Sequence, residues 1–144
     1  MLVLNTEFSV PVLMNAIGHV LLGLIGSRNP TEWNLLAYPS PAFQVDNQIS
    51  EYPVVVLRSK RSGSLEKLVL QLKPFDIAHN IFIDSMIGRT AVEQQQATLS
   101  ALPGQNKIVC VALFGDETTI RPLIKSFSLY KSSDVAAFSI AEPT

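Results

Sequence analysis

Apolar positions fall in blocks along the chain, and the blocks change character from one to the next. Leu2-Val-Leu4 is a short β-type run. Thr6 to Ser9 supplies turn chemistry, with Ser9 as an N-cap and Pro11 in the first helical turn, where a missing N–H costs nothing. The most apolar stretch follows, from Val10 to Ile25, and Gly26 is its C-terminal stop. It is apolar nearly all round, which predicts a helix buried on most sides. Residues 27–50 are rich in Pro, Asn and Ser, and Pro30, Pro39 and Pro41 break any long element. This segment reads as irregular, with a short edge strand over Phe43–Val45 and a turn at Asp46-Asn47.

Pro53-Val-Val-Val-Leu57 is β-branched and unalternated, the pattern of a strand buried on both faces. Ser64 can cap a helix over Leu65, Leu68, Val69 and Leu72, which Pro74 ends. Ile77 to Asp84 is a further strand, followed by a loop through Gly88. Thr90-Ala-Val-Glu93 matches a capping box and opens a helix to about Ala101. Lys107 to Phe114 is a second buried strand. Gly115 to Thr119 starts a short helix carrying Ile120, Leu123 and Ile124, and Phe127 to Tyr130 is a last strand. Strands alternating with helices predict an α/β, three-layer sandwich with helices on both faces of a mostly parallel, four- or five-stranded sheet. The strands are expected near residues 2–5, 53–58, 78–84, 107–114 and 127–130. Residues 1–131 form the expected single domain, and 132–144 a C-terminal tail that docks on its body.

Composition narrows the classes of function. In 144 residues, 47% are apolar and 16% charged, with a formal net charge of −1. That excludes intrinsic disorder and disfavours a dedicated nucleic-acid binder, which carries a large basic excess. The low charge of so small a chain leaves apolar surface to cover, so a homodimer is expected. The apolar stretch of about 16 residues reaches only ~24 Å as a helix, short of a ~30 Å bilayer core. No basic residue leads into it, as a signal peptide requires. The expectation is a cytoplasmic protein with no membrane contact. Cys110 is the single cysteine and lies in an apolar run, where a thiol is inert. No zinc spacing, G-x-G-x-x-G, P-loop or G-x-S-x-G occurs, and no metal or cofactor is expected.

The candidate chemistry is sparse. Asn15 and His19 are four apart and share a helix face, either at a cleft or as two satisfied polar groups of a buried helix. Asp84 and Ser85 end a strand, where open α/β sheets bind ligands; the competing role for Asp84 is to shape a turn. Arg89 and Thr90 are placed at the rim of such a cleft, with Thr90 also the cap of its helix. Arg58, Lys60 and Arg61 form the one dense basic patch, which is either a phosphate or RNA-backbone contact or a solvated loop.

Val3-Leu-Asn-Thr-Glu7, Leu13-Met-Asn-Ala-Ile-Gly-His-Val20, Tyr52-Pro-Val-Val-Val-Leu57, Asp84 to Gln96, Val111-Ala-Leu-Phe-Gly-Asp116 and Lys125-Ser-Phe-Ser-Leu-Tyr130 resemble an uncharacterised, mainly bacterial family, domain of unknown function 2000. The resemblance covers most of residues 2–131. It implies a fold similar to type II peptidyl-tRNA hydrolases and leaves the activity open. Gly88-Arg89-Thr90 matches the hydrolases' D-x-G-R-T segment, and His19 falls where their helix motif has its His. Their catalytic Lys aligns near Val12, their Asp with Met86 (Asp84 is two positions early), and their Thr with Ile108 beside Lys107. The expected function is therefore a non-catalytic or small-ligand-binding domain. The alternative is an ester hydrolase acting on peptidyl-tRNA or a small ester.

Overall fold

The computed structural model describes residues 1–131; the expected tail over 132–144 lies outside the described residues. Strand β1 (Leu2–Asn5) leads into helix α1 (Val10–Gly26). An antiparallel hairpin follows, β2 (Leu35–Ser40) and β3 (Val45–Ser50), and then β4 (Val56–Ser59) and α2 (Ser62–Leu72). The chain continues through β5 (Ala78–Ile83), α3 (Ala91–Ser100), β6 (Ile108–Phe114), α4 (Glu117–Ile124) and β7 (Ser128–Leu129). Five strands form one sheet in the order β5-β6-β1-β4-β7.

Among the described residues, this sheet has four strand pairings and only β1–β4 is parallel, which corrects the mostly parallel sheet expected from sequence. The expectation assumed that each helix returns the chain beside the strand it left. Here α2 joins β4 to β5, which run the same way but have β6 and β1 between them. Likewise α4 joins β6 to β7 across β1 and β4. The helices thus connect strands of like direction that are not neighbours, and the sheet interleaves the two directions. The α3 excursion between β5 and β6 buries no residue, so it acts as the long loop of an antiparallel pair.

Helices lie on both faces, as alternation along β1 requires: Leu2 and Leu4 face one core and Val3 the other. The first core is closed by Leu13, Ala16, Val20 and Leu24 of α1. The second is closed by Leu65, Leu68 and Leu72 of α2 and Ile120 of α4. A register shift between Phe82 and Ile83 lets Val109 and Cys110 both turn toward the α1 side. Burial there pushes the Cys110 thiol up to about 12, the inert state expected.

Three local expectations change. Helix α1 buries only a stripe at spacings of three and four, while Met14, Leu22 and Ile25 face out. Its apolar composition therefore exceeds what one contact face can cover. Residues 35–50, expected to be mostly irregular, form the β2–β3 hairpin with Gln44 in the left-handed region at φ 55°. The hairpin is held at its base. Ser50 Oγ donates to the Trp33 carbonyl at 2.8 Å, and the Trp33 and Tyr52 rings pack on Phe114 at 4.6 and 5.4 Å. Helix α2 starts at Ser62 with Arg61 as its N-cap, rather than at Ser64. The Thr90–Glu93 capping box forms as read, with both reciprocal bonds present. Among the described residues no helix is long and apolar enough to cross a membrane.

Candidate functional site

Asn15 and His19 sit one turn apart on the side of α1 that overhangs β5. The His19 ring stacks on Phe82 of β5, with centroids 5.8 Å apart and planes 23° apart. Asn80 on the same strand donates from Nδ2 to the Val20 carbonyl at 3.2 Å, tying β5 to the middle of α1. Glycine is required at position 23 for this approach, because a Cβ there would collide with Asn80 Nδ2. Gly18 and Gly26 meet nothing, so close packing concerns Gly23 alone among the three glycines of α1.

The floor of this cleft comes from the chain after β5. A short 3-10 turn, Asp84–Met86, leads to Gly88 at φ 65° and Arg89 at φ 62°. A left-handed Arg is uncommon and persists only where its surroundings hold it. Two contacts do so: Gln94 Nε2 donates to the Gly88 carbonyl, and the Thr90 N–H donates to Glu93 Oε2 at 2.8 Å. The capping bonds from Thr90 also hold the Glu93 carboxyl below its ordinary range. The resulting cleft has a volume of about 470 Å³, and Asn15, His19, Asn80, Met86, Arg89 and Gln94 are in its wall.

The residues singled out from sequence are divided by the structure. Asn15, His19 and Arg89 share this cleft. Asp84 and Ser85 line a neighbouring cavity of about 410 Å³ with Ser100, Gln105 and Asn106, and Arg89 lines both. Thr90 lines neither and serves as the cap of α3. In the second cavity Asp84 Oδ1 is buried without a hydrogen-bond partner, while Ser85 Oγ meets Thr98 Oγ1 at 2.8 Å. Arg58, Lys60 and Arg61 lie elsewhere, in a cavity of about 340 Å³ with Ser64, Ser126 and Ser128. Arg58 Nε donates to Ser128 Oγ at 3.0 Å.

Asn80 and Gln94 were missed from sequence. The available signal was the polar pair His79-Asn80 inside an otherwise apolar strand, which a strand lying under a helix does not need for packing alone. Among the described residues no group of three or more His, Cys, Asp and Glu is placed to hold a metal ion.

Comparison with known proteins agrees with this fold and assigns no activity. A solved structure, "Structure of Protein of Unknown Function Atu0240" from Agrobacterium tumefaciens strain C58, is 20% identical and superimposes with a TM-score of 0.75. The match covers 90% of this chain and 95% of that one. At that identity the likeness establishes a shared fold alone. No curated protein matches. The family model "Protein of unknown function (DUF2000)" matches residues 1–131, nearly all of the chain, and on that match the chain belongs to the DUF2000 family.

Proposed function

We propose that the protein is a small-ligand-binding domain and that its ligand occupies the cleft between α1 and β5. The composition of the cleft wall carries this reading. Asn15, His19, Asn80, Arg89 and Gln94 offer amide, imidazole and guanidinium groups around about 470 Å³, and among the described residues neither a carboxylate nor a lysine lines it. Such a wall suits a small molecule bearing carbonyl or carboxylate acceptors. Ester hydrolysis asks for more: a base poised on water and fixed donors for an oxyanion. An imidazole such as His19 is one half of such a base, but among the described residues no carboxylate lines the cleft to orient it. A scaffold shared with type II peptidyl-tRNA hydrolases is part of the proposal, supported by Gly88-Arg89-Thr90 and by His19. Val12, Met86 and Ile108 stand where the catalytic Lys, Asp and Thr of those enzymes align, which is the reason to set hydrolysis aside.

The test is thermal unfolding of the wild type against a metabolite panel, repeated with His19→Ala and Arg89→Asn, since Asn tolerates the left-handed backbone. A true ligand at a hundred times its Kd raises stability by about 2.7 kcal/mol, and each variant should lose most of that gain. Peptidyl-tRNA or ester turnover that disappears in His19→Ala would replace this reading with the hydrolase. A panel without any stabilising compound counts against both.

We also propose that the chain forms a two-fold dimer. Helix α1 contains no charged residue in its 17 positions and leaves Met14, Leu22 and Ile25 exposed, which supports self-association. Sedimentation at tens of micromolar should return twice the chain mass, and Leu22→Lys should return a monomer. A wild-type monomer under those conditions overturns the proposal.

A further inference from the structure

The carboxylate of Asp84, just past the end of β5, has no local duty. An aspartate that shapes a turn accepts hydrogen bonds from nearby backbone N–H groups. Here the backbone makes the turn instead: the Asp84 N–H donates to the Lys107 carbonyl at 3.0 Å, and the Asp84 carbonyl accepts the Ile87 N–H at 3.1 Å. Among the described residues the Asp84 side chain has no hydrogen bond or ion pair, and its Oδ1 is buried. The neighbouring Lys107 is committed to Glu7 at 3.1 Å. Arg89 lines the same cavity of about 410 Å³, yet the two opposite charges are not paired with each other. Its guanidinium makes no hydrogen bond or ion pair among the described residues. After the Thr90 hydrogen bonds, its charge contributes to holding the Glu93 carboxyl low, but Glu93 Oε2 is taken by the Thr90 N–H and hydroxyl, both at 2.8 Å.

We propose that this cavity binds a short zwitterion, with an ammonium against Asp84 and a carboxylate against Arg89, the chemistry of a small amino acid. One Asp84 oxygen is withdrawn from water and unbonded, so its charge is incompletely solvated. A cation brought against it gains more than it would at an open surface. An ammonium supplies three donors to a carboxylate that has accepted none, and a guanidinium holds a carboxylate through two parallel bonds. A ligand of one sign answers only one of the two groups. The rest of the wall suits a polar guest. Gln105 Oε1 accepts the Leu102 N–H at 2.7 Å, which fixes that side chain and leaves its amide donors for a ligand, beside the carboxamide of Asn106. The left-handed backbone at Gly88 and Arg89 is held by Gln94 and Glu93, and such strain collects at ligand clamps. The volume lies at the lower end of small-molecule sites, which favours a ligand of few carbons. A metal ion is disfavoured, since among the described residues Asp84 is the only acidic ligand in the wall and no His or Cys joins it. The inference does not rest on the reading of the α1–β5 cleft: Arg89 is shared, but Asp84, Gln105 and Asn106 do not line that cleft.

The experiment titrates the isotope-labelled full chain, followed by amide NMR, at one ionic strength set with sodium chloride. Glycine, β-alanine and 4-aminobutyrate space the two charges differently, and acetate and methylammonium are the single-charge halves. At least one zwitterion should give saturable shifts centred on residues 84–89 and 105–106, with an affinity at least about tenfold above either half. Asp84→Asn should bring that affinity down to the level of acetate, and Arg89→Asn to that of methylammonium, since each removes one charge and Asn tolerates the left-handed backbone at position 89. His19→Ala should leave these shifts unchanged. The proposal fails if the wild type binds no zwitterion more tightly than its halves, a result that needs no variant to fold and leaves the reading of the α1–β5 cleft standing. It fails equally if Asp84→Asn binds as the wild type does. Loss of binding in His19→Ala but not in Asp84→Asn would place the zwitterion in the α1–β5 cleft and overturn this site alone.

Discussion

Replacing Asn5 by Ala is expected to lower the unfolding free energy by about 2–4 kcal/mol, a large effect for one polar side chain. Asn5 closes β1 and has no solvent exposure. Its Nδ2 donates to the Ile108 carbonyl at 2.9 Å, and its Oδ1 accepts the Glu7 N–H at 3.1 Å. The first bond joins the carboxyl end of β1 to the start of β6, residues 103 apart in sequence. The second shapes the turn that aims α1 at the sheet. Alanine removes both and strands a buried carbonyl, and that orphan alone costs about 1–3 kcal/mol. Urea unfolding with an unchanged slope measures the loss, and a cost under about 1 kcal/mol contradicts the assigned role. Asn5→Asp should be worse at neutral pH. Burial raises the folded pKa of the new carboxyl above its unfolded value of about 3.9, so the deficit stays small below pH ~4 and grows as pH rises. Asn47, whose bonds lie on the exposed hairpin, is the control; Asn47→Ala should stay within about 0.5 kcal/mol.

A comparable loss, about 2–5 kcal/mol, is expected for Leu68→Ala. Leu68 is 1% exposed and sits with Leu65 and Leu72 against Val3, Val111 and Leu113 of the sheet. Truncation removes a transfer contribution and leaves a cavity that a central strand cannot collapse to fill. Leu70, two positions on, is 61% exposed. Leu70→Ala keeps helix propensity and should change stability by no more than about 0.5 kcal/mol. The pair separates burial from composition within one helix, and equal effects at 68 and 70 would contradict the packing of α2 on the sheet.

Local chemistry made much of this architecture readable. The Thr90–Glu93 capping box needs only residues three apart, and it forms as its spacing requires. The five strands of the sheet fall close to their expected positions because β-branched runs bounded by turn residues have few other uses. Strand direction was not readable in this way. An unalternated apolar run reports burial on both faces, and β6 is such a strand while antiparallel to both its neighbours. The β2–β3 hairpin was hidden for the opposite reason. Both its faces are largely exposed, so no alternation marks it, and Pro39 lies within it as edge strands permit.

The candidate site shows the same division. Sequence by itself brought Asn15 to His19, because one helical turn decides that, and it marked the basic loop after β4. Only the tertiary structure brought Asn80 under α1, parted Asp84 from His19 into adjoining cavities, and set Arg89 between the two. Those outcomes depend on which face of β5 each side chain takes, on the 3-10 turn after it, and on a left-handed Arg held from both sides. Each joins segments far apart in the chain or rests on a backbone state that single residues scarcely encode. Helical spacing and capping act within a turn or two and are written locally, whereas the meeting of β5 with α1 is chosen by the shared core they close.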